Sequence, residues 1–338
     1  MSRSADQTRK GGAAFEAPHR RLDPGSRIAG KAAVFGYRAT AWLLGRVPPR
    51  LAWRVGGRLA QAGYVFGPKK RRWVNANFGH ILGVPPDDPE VRRLALRAYG
   101  NYARYLVELM RLPGLPHEAA SQLLDPQGVE TFEEIRRESK GIILVAAHVG
   151  NNEAAAVGLA SKGWPVSAVA DDSAFPELFD LLRRQREAWG VRLIPWRNLR
   201  DVYGVLKRHE MLALLVDWGY KPDGIPVRLF GSWTTLPAGP AALAAKTDAT
   251  ILPVVIRRQA DWQFLVTHDR PIRVASSEPA ELARATQAIA DALERNLGAA
   301  PEQWYNFKPM WPETAEERDR LAEQATATLT GTSQAGAT

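Results

Sequence analysis

A histidine and a glutamate five residues apart form the pair of side chains best suited to chemistry in this sequence. His148 follows an apolar run at residues 142–147, and Glu153 follows it after a turn that contains Gly150. The pattern predicts a buried strand that ends near His148 and a helix that begins near Glu153. Ligands of open α/β sheets bind at the carboxyl ends of strands, so we expect a substrate to bind beside His148.

The chemistry expected of this segment is general base catalysis. Across a strand-turn-helix corner, the Glu153 carboxylate could accept the proton on one ring nitrogen of His148, fix the tautomer and stabilise the imidazolium. The backbone N–H groups of Gly150, Asn151 and the first helical turn are expected to bind an oxyanion. Because these residues include no nucleophile, they favour direct transfer of an acyl group to an incoming hydroxyl.

The pattern of the chain around this segment predicts an α/β fold with a mostly parallel central sheet flanked by helices. Short apolar runs that are typical of strands buried on both faces occur at residues 142–147, 166–170, 191–194, 211–216, 251–256 and 264–267. Helix-like stretches separate the first five runs. We therefore expect the site at the carboxyl edge of a parallel sheet.

The chain before residue 113 has a helical pattern instead. Amphipathic stretches occupy residues 32–44 and 51–66, and a third helix is predicted to begin at Asp88 and Pro89. The predicted organisation has a disordered arm at 1–27, a helical membrane-facing subdomain at 28–112, an α/β domain at 113–325 and a disordered tail at 326–338.

Composition excludes several classes of site. The 338 residues include no cysteine, which excludes disulfides, thiolate metal sites and a cysteine nucleophile. The six histidines lack the spacing of metal ligands, and the chain has no GxGxxG, GxxxxGK[ST] or GxSxG motif, so neither a metal nor a bound cofactor is predicted. No run approaches the ~20 apolar residues of a membrane span, and residues 1–23 lack the apolar core of a signal peptide.

A formal net charge of +9 suits an anionic membrane surface, an acidic substrate or nucleic acid. The cluster PKKRRW at residues 68–73 follows an amphipathic stretch that carries Arg50, Arg54 and Arg58. Basic residues beside tryptophan favour contact with anionic lipid. The same cluster also fits a solvated turn or a binding site for a donor's phosphates.

The chain resembles glycerolipid-type acyltransferases, in which His-x4-Glu or His-x4-Asp follows an apolar strand. Over roughly residues 51–311 it is similar to the branch that contains lipid A late acyltransferases and phosphatidylinositol mannoside acyltransferase. Besides the His148–Glu153 box, this similarity rests on RRWVNANF (71–78), RRQR (183–186), LVD (215–217), FG (230–231), TTLPAGP (234–240) and PEQW (301–304). The TTLPAGP run and the FKP ending at 307–309 are nearer to the mannoside acyltransferases.

The resemblance implies a role for each matching residue. His148 acts as the base and Glu153 orients it, while Arg186, Arg183 and Asp217 bind substrate. The donor would be acyl-CoA or acyl carrier protein, and the acceptor a membrane lipid at the cytoplasmic face of the inner membrane, where the protein would be peripheral. No nucleic acid partner is expected. Two alternatives stay open: a thioesterase that uses the same dyad on water, and a non-catalytic basic lipid-binding protein.

Overall fold

A six-stranded sheet with helices on both faces organises the chain. The structure, a computed structural model, describes residues 24–124, 129–171 and 176–330. Its strands are β1 (Ile142–Ala146), β2 (Val166–Ala170), β3 (Val191–Pro195), β4 (Met211–Leu215), β5 (Ile225–Leu229), β6 (Ser232–Leu236), β7 (Thr250–Ala260) and β8 (Gln263–His268). The large sheet has the order β3-β2-β4-β1-β7-β8, and only the β7–β8 pair is antiparallel. The predicted mostly parallel sheet is confirmed.

The described residues also form twelve helices. They are α1 (Pro24–Arg46), α2 (Pro49–Phe66), α3 (Pro68–Leu82), α4 (Pro89–Arg111), α5 (His117–Ser121), α6 (Val129–Glu138), α7 (Asn152–Ser161), α8 (Pro176–Glu187), α9 (Leu199–Lys207), α10 (Gly239–Thr247), α11 (Pro279–Ala299) and α12 (Ala315–Thr330). Helices α1 and α12 extend into the predicted disordered arm and tail. The rest of those two segments, residues 1–23 and 331–338, lies outside the described residues.

Strands β1 and β4 are neighbours whose last residues are aligned. Ala146 is paired with Leu215, and the N–H of Val216 donates to the carbonyl of Ala146 at 3.0 Å. His148 follows Ala146 by two residues, as Asp217 follows Leu215. Both side chains therefore begin at the same height above the carboxyl edge of the sheet.

The buried side chains of β1 alternate between two apolar layers, as the period of a strand requires. Ile143 and Val145 pack with residues of α3, α4, α10 and α11. Ile142, Leu144 and Ala146 face the opposite layer, where α6 and α7 cover the sheet. This second layer contains the cavity described below.

The N-terminal helices include one that the sequence pattern did not predict. Residues 68–82, which contain the basic cluster, form α3, which begins with Pro68 and ends at Gly83 in the left-handed conformation. Proline at a first helical position and glycine just after the last are the usual helix boundaries. The basic residues therefore project from a helix rather than from a turn.

The Phe-Gly pair at 230–231 is the turn of a two-stranded hairpin, β5–β6. Phe230 and Gly231 both have positive φ, +48° and +72°, as a type I′ turn requires. Sequence patterns did not predict this hairpin because the usual turn pairs have asparagine or aspartate before glycine.

Residues 304–311, here called the C-terminal strap, cross the carboxyl edge of the large sheet. The strap pairs with the segment after β1 through a bridge between Val149 and Trp304. On its other side, the amide of Asn77 in α3 donates to the carbonyl of Lys308 at 2.8 Å and accepts from the N–H of Met310 at 3.0 Å. These contacts hold the strap against the two strand ends that carry His148 and Asp217.

Candidate active site

The carboxylate that contacts His148 is that of Asp217. The Nδ1 atom of His148 lies 2.7 Å from Oδ1 of Asp217, and the backbone N–H of His148 donates to Oδ2 at 2.9 Å. The indole N–H of Trp304 donates to the same Oδ2 at 2.8 Å, and the amide of Asn306 donates to the Asp217 carbonyl at 2.9 Å. A carboxylate accepts rather than donates, so Nδ1 carries the proton and Nε2 keeps its lone pair.

Burial and charge act in opposite directions on this pair. Burial alone would lower the pKa of His148, but the charge of Asp217 and its hydrogen bond outweigh burial and raise that pKa above its ordinary value. Burial would likewise raise the pKa of Asp217, yet His148 and the surrounding hydrogen bonds lower it. The Asp217 side chain is 1% exposed and that of His148 is 38% exposed, so the imidazole is accessible from outside while the carboxylate is not.

Glu153 contacts Arg186 instead of His148, which differs from the contact expected from the sequence. The Nε and Nη2 atoms of Arg186 donate to the two carboxylate oxygens of Glu153 at 2.7 and 2.5 Å. Glu153 lies in the first turn of α7, and that turn points its carboxylate toward the end of α8. The side chains are 18% and 17% exposed, and this two-point contact holds both of them beside the cavity.

The turn between His148 and α7 requires glycine. Gly150 has φ of +64°, and a Cβ atom there would lie 2.1 Å from the carbonyl oxygen of Ile256. Its N–H donates to the carbonyl of Gln303 at 3.0 Å. The Gly150 N–H is therefore already paired and is not a free donor, contrary to the expectation from the sequence. Of the donors expected there, the N–H groups of the first turn of α7 remain.

Asn151 caps α7 rather than facing the substrate side. Its Oδ1 accepts from the N–H of Ala154 at 3.0 Å, and its Nδ2 donates to Glu108 in α4 at 3.0 Å. Asparagine is among the best capping residues. The expected role of Asn151 in binding an oxyanion is therefore replaced by capping, and its buried partner Glu108 was not predicted.

His148 lies where two cavities meet. An apolar cavity of about 200 Å³ extends from His148, Glu153 and Trp218 between the sheet and helices α6 and α7. Val166 and Ala170, the first and last residues of β2, both line it. Because four residue steps along a strand span about 13 Å, the cavity follows β2 for about that distance. Its walls include Phe132, Leu144, Ala155, Val166, Leu193 and Ile256. A cavity of similar size with apolar walls stays dry and binds apolar molecules.

The second cavity, of about 580 Å³, lies between α3, α4 and the C-terminal strap. It shares His148, Glu153 and Trp218 with the first and adds Asp217. Its other walls are mixed: Lys70 and Lys308 are basic, Trp73, Tyr102, Tyr105 and Phe307 are aromatic, and Leu106 and Leu109 are aliphatic. The two cavities thus present a narrow apolar space and a larger space with mixed walls to the same imidazole.

Arg183 does not join this group. Its guanidinium pairs with Glu187 at 3.0 Å and with Asp180 at 3.4 Å, and it lines neither of the two cavities that meet at His148. Arg186 lies three residues further along α8 but pairs with Glu153 and lines the apolar cavity, so the two arginines differ in their partners. The sequence assigned no role to Trp304, which ends the PEQW segment that resembled the family, or to Asn306, which lies between that segment and the FKP ending.

The outer face of α1 and α2 is apolar. Its exposed large side chains are Ile28, Phe35, Trp42, Leu43, Leu51, Val55, Leu59, Val65 and Phe66. Arg54 and Arg58 in α2 and Lys69 and Lys70 in α3 are exposed nearby in the chain. Of the helices within residues 24–124, 129–171 and 176–330, none has the length and hydropathy to span a bilayer.

One family profile matches most of the chain. Residues 21–313 match the sequence profile described as bacterial lipid A biosynthesis acyltransferase. The chain is 28% identical to a phosphatidylinositol mannoside acyltransferase of Mycolicibacterium smegmatis, over 84% of this chain and 93% of that protein. It is 29% identical to the protein of that name from Mycobacterium tuberculosis, over 86% and 92%. It is 22% identical to the lipid A biosynthesis lauroyltransferase of Escherichia coli, over 78% and 86%.

Proposed function

Because the chain belongs to the bacterial lipid A biosynthesis acyltransferase family, we propose that it moves a fatty acyl group from a thioester to a hydroxyl of a membrane glycolipid. Family membership makes the chain an acyltransferase of lipid biosynthesis. The thioester would be that of acyl-CoA or of acyl carrier protein. The mannoside acyltransferases cover more of this chain at higher identity than the lauroyltransferase does, which favours a glycosylated phospholipid as acceptor.

One observation carries the proposal: the imidazole held by Asp217 lies between an apolar cavity and a larger cavity with basic, aromatic and aliphatic walls. The apolar cavity suits an acyl chain, whose burial is favourable by about 0.8 kcal/mol per CH₂. The mixed walls of the larger cavity suit an amphipathic acceptor lipid. A thioester carbonyl at the mouth of the first cavity would then lie beside a hydroxyl bound in the second.

In the proposed reaction, Nε2 of His148 takes the proton of the acceptor hydroxyl as its oxygen attacks the thioester carbonyl. Asp217 keeps the proton on Nδ1 and stabilises the imidazolium. The tetrahedral intermediate collapses with cleavage of the C–S bond, and the imidazolium returns its proton to the leaving thiolate. A positioned base of this kind contributes roughly 10²–10⁴-fold to the rate.

The oxyanion of this intermediate needs hydrogen-bond donors. We assign that role to the N–H groups of Asn152 and Glu153, because the first N–H groups of a helix have no partner within the helix. The ion pair between Glu153 and Arg186 fixes the start of α7 from the other side. Arg186 also lines the apolar cavity and adds positive charge near the carbonyl.

We further propose that the protein binds the cytoplasmic face of the inner membrane as a peripheral protein. The apolar outer face of α1 and α2 would enter the head-group region, and the neighbouring arginines and lysines would attract anionic lipid. The larger cavity is lined by residues of α3 and α4, helices that pack beside α2. A lipid acceptor could therefore reach His148 from the bilayer.

The test is thiol release from acyl-CoA, which a colorimetric reagent reports without background because the chain has no cysteine. Wild type and His148→Ala are compared with and without a phosphatidylinositol mannoside extract, and the lipid product is identified by mass spectrometry. We expect lipid-stimulated release, acylated lipid, and a loss of at least ~10²-fold in the variant. Acyl carrier protein replaces CoA in a parallel series.

Three results would contradict the proposal. Release that yields only free fatty acid, undiminished by saturating lipid, identifies a thioesterase. Transfer that is unchanged in His148→Ala removes His148 as the base. A protein that binds anionic vesicles and releases no thiol from either donor is the non-catalytic alternative.

A further inference from the structure

A buried carboxylate in α4 lies behind the turn that carries His148. Glu108 is 0% exposed, and each of its carboxylate oxygens accepts two hydrogen bonds. Oε1 accepts from Nε of Arg104 at 3.1 Å and from Nε of Arg258 at 3.2 Å. Oε2 accepts from Nη2 of Arg258 at 2.5 Å and from the amide of Asn151 at 3.0 Å.

Asn151 connects this carboxylate to the start of α7. Its Nδ2 donates to Glu108 while its Oδ1 accepts from the N–H of Ala154, so both ends of the amide are used and its orientation is set. Asn151 is itself 1% exposed. It lies three residues after His148 and two before Glu153, so any rotation of this amide moves the segment between them.

Arg258 holds the same turn from a second direction. Its backbone N–H donates to Oε1 of Gln303 at 2.8 Å, and its carbonyl accepts from Nε2 of Gln303 at 3.2 Å. The carbonyl of Gln303 in turn accepts from the N–H of Gly150. Glu108 is thus tied to the turn twice, once through Asn151 and once through Arg258 and Gln303.

We propose that Glu108 is a positioning residue that, through Asn151 and Arg258, fixes the turn from His148 to Glu153 in its reactive geometry. Displacing the turn would take the Asn151 amide away from a fully buried carboxylate oxygen, and hydrogen bonds to buried charged groups are costly to lose, so alternative positions of the turn are disfavoured. A displacement of about 1 Å in an active site can cost roughly 10²-fold in rate. The inference rests on the proposed function, because it takes this turn as the catalytic one.

A purely structural role would be to tie α4 to β7, and it predicts loss of stability without a specific loss of rate. The two roles differ at Asn151. Serine at this position keeps a capping oxygen but is too short to donate to Glu108, so Asn151→Ser removes the connection and retains the cap. Glu108→Gln keeps the shape and removes the charge.

The experiment compares acyl transfer by Asn151→Ser, Glu108→Gln and the double variant at a temperature well below each Tm. We expect kcat to fall about 10- to 100-fold in each single variant, with the KM for acyl-CoA within about twofold of wild type. The connection that Asn151→Ser removes is one of the two that Glu108→Gln weakens, so the double variant should lose no more than the worse single variant. Losses that multiply, or a kcat for Asn151→Ser within twofold of wild type, would overturn the proposal.

The matched control is Val91→Ala, which removes a fully buried side chain from the same helix, α4, near its other end. It should lower Tm while leaving kcat unchanged. If kcat follows Tm in the same way in all the variants, the role of Glu108 is structural only.

A readout without catalysis separates this proposal from the proposed function. The His148 imidazole is titrated by NMR in the full-length chain. Displacing the turn loosens the contact with Asp217, so we expect the pKa of His148 to fall in Asn151→Ser and Glu108→Gln and to stay unchanged in Val91→Ala. If wild type transfers no acyl group, an unchanged titration in the first two variants still refutes positioning by Glu108.

Discussion

Nδ1 of His148 and Oδ1 of Asp217 lie 2.7 Å apart although 69 residues separate them in the chain. Each follows its strand by two residues, and the two strands are parallel neighbours in register. The contact is therefore a consequence of strand order rather than of a local motif. It leaves Glu153, the nearer carboxylate in sequence, to pair with Arg186.

Replacing Asp217 with asparagine is expected to lower kcat by about 10²–10⁴-fold, because an amide can donate to Nδ1 and move the ring proton to Nε2. The measurement is steady-state acyl transfer with circular dichroism as a check of folding. Trp304→Phe, which removes only one donor to the carboxylate, should lose much less. Equal losses in the two variants would contradict the orienting role of Asp217.

The pH dependence follows from the raised pKa of His148. The base acts unprotonated, so kcat/KM should rise with pH through a pKa above the ordinary histidine value of about 6.5. Asp217→Asn removes the charge that raises the pKa of His148 and leaves burial, which lowers that pKa. The rise of kcat/KM with pH should therefore shift to lower pH in this variant. If kcat/KM rises at the same pH in the two proteins, the titrating group is not His148.

The same raised pKa affects stability. The protonated pair contributes its full stabilisation below the ordinary histidine pKa, and this contribution is lost as the pH rises through the folded-state pKa. The measurement is the free energy of unfolding in urea, for wild type and for His148→Gln, at several pH values across this range. The difference between the two proteins should shrink as the pH rises. A difference that does not change with pH would contradict the contribution of the pair.

The pair of Glu153 and Arg186 should behave as one unit. Glu153→Gln and Arg186→Gln each leave a half-buried partner unpaired and should cost roughly 1–3 kcal/mol of unfolding free energy, whereas the double variant should cost less than their sum. Arg183→Gln, on the same helix in exposed ion pairs, should stay within about 0.5 kcal/mol and retain activity. Additive losses in the double variant would show that the contact is not coupled.

Donor chain length should depend on Phe132, which lines the apolar cavity and stacks on Trp164 at 5.2 Å. Phe132→Leu enlarges the cavity, so the ratio of kcat/KM for longer to shorter acyl-CoA should increase several-fold, by about 1 kcal/mol. Phe264→Leu is the control, since Phe264 is buried in the same apolar layer and does not line the cavity. A shift of equal size in both variants would contradict the assignment of the cavity to the acyl chain.

Membrane binding should depend on the outer face of α1. Phe35 and Trp42 are 75% and 60% exposed, and Phe35→Ser combined with Trp42→Ser should weaken binding to anionic vesicles by about tenfold or more. Trp196→Ser is the matched control, because Trp196 is 49% exposed in the segment between β3 and α9. Vesicle flotation measures both. Equal weakening in the two proteins would exclude α1 as the docking helix.

The sequence by itself determined the strands of the large sheet, most of the long helices and the position of His148 at a strand end. It could do so because apolar runs and helical spacing are local patterns. It also singled out Arg186 and Asp217, though only through the resemblance to the family. The elements that it did not predict are the hairpin with Phe-Gly as its turn and the helices α3, α5, α6 and α12.

The tertiary structure alone decided which side chains meet. Spacing along the chain suggested Glu153 as the partner of His148, but β4 pairs with β1 in register and brings Asp217 there instead. The strap residues Trp304 and Asn306 then hold Asp217. The order of strands in a sheet depends on contacts between residues far apart in the chain, and no local pattern encodes it.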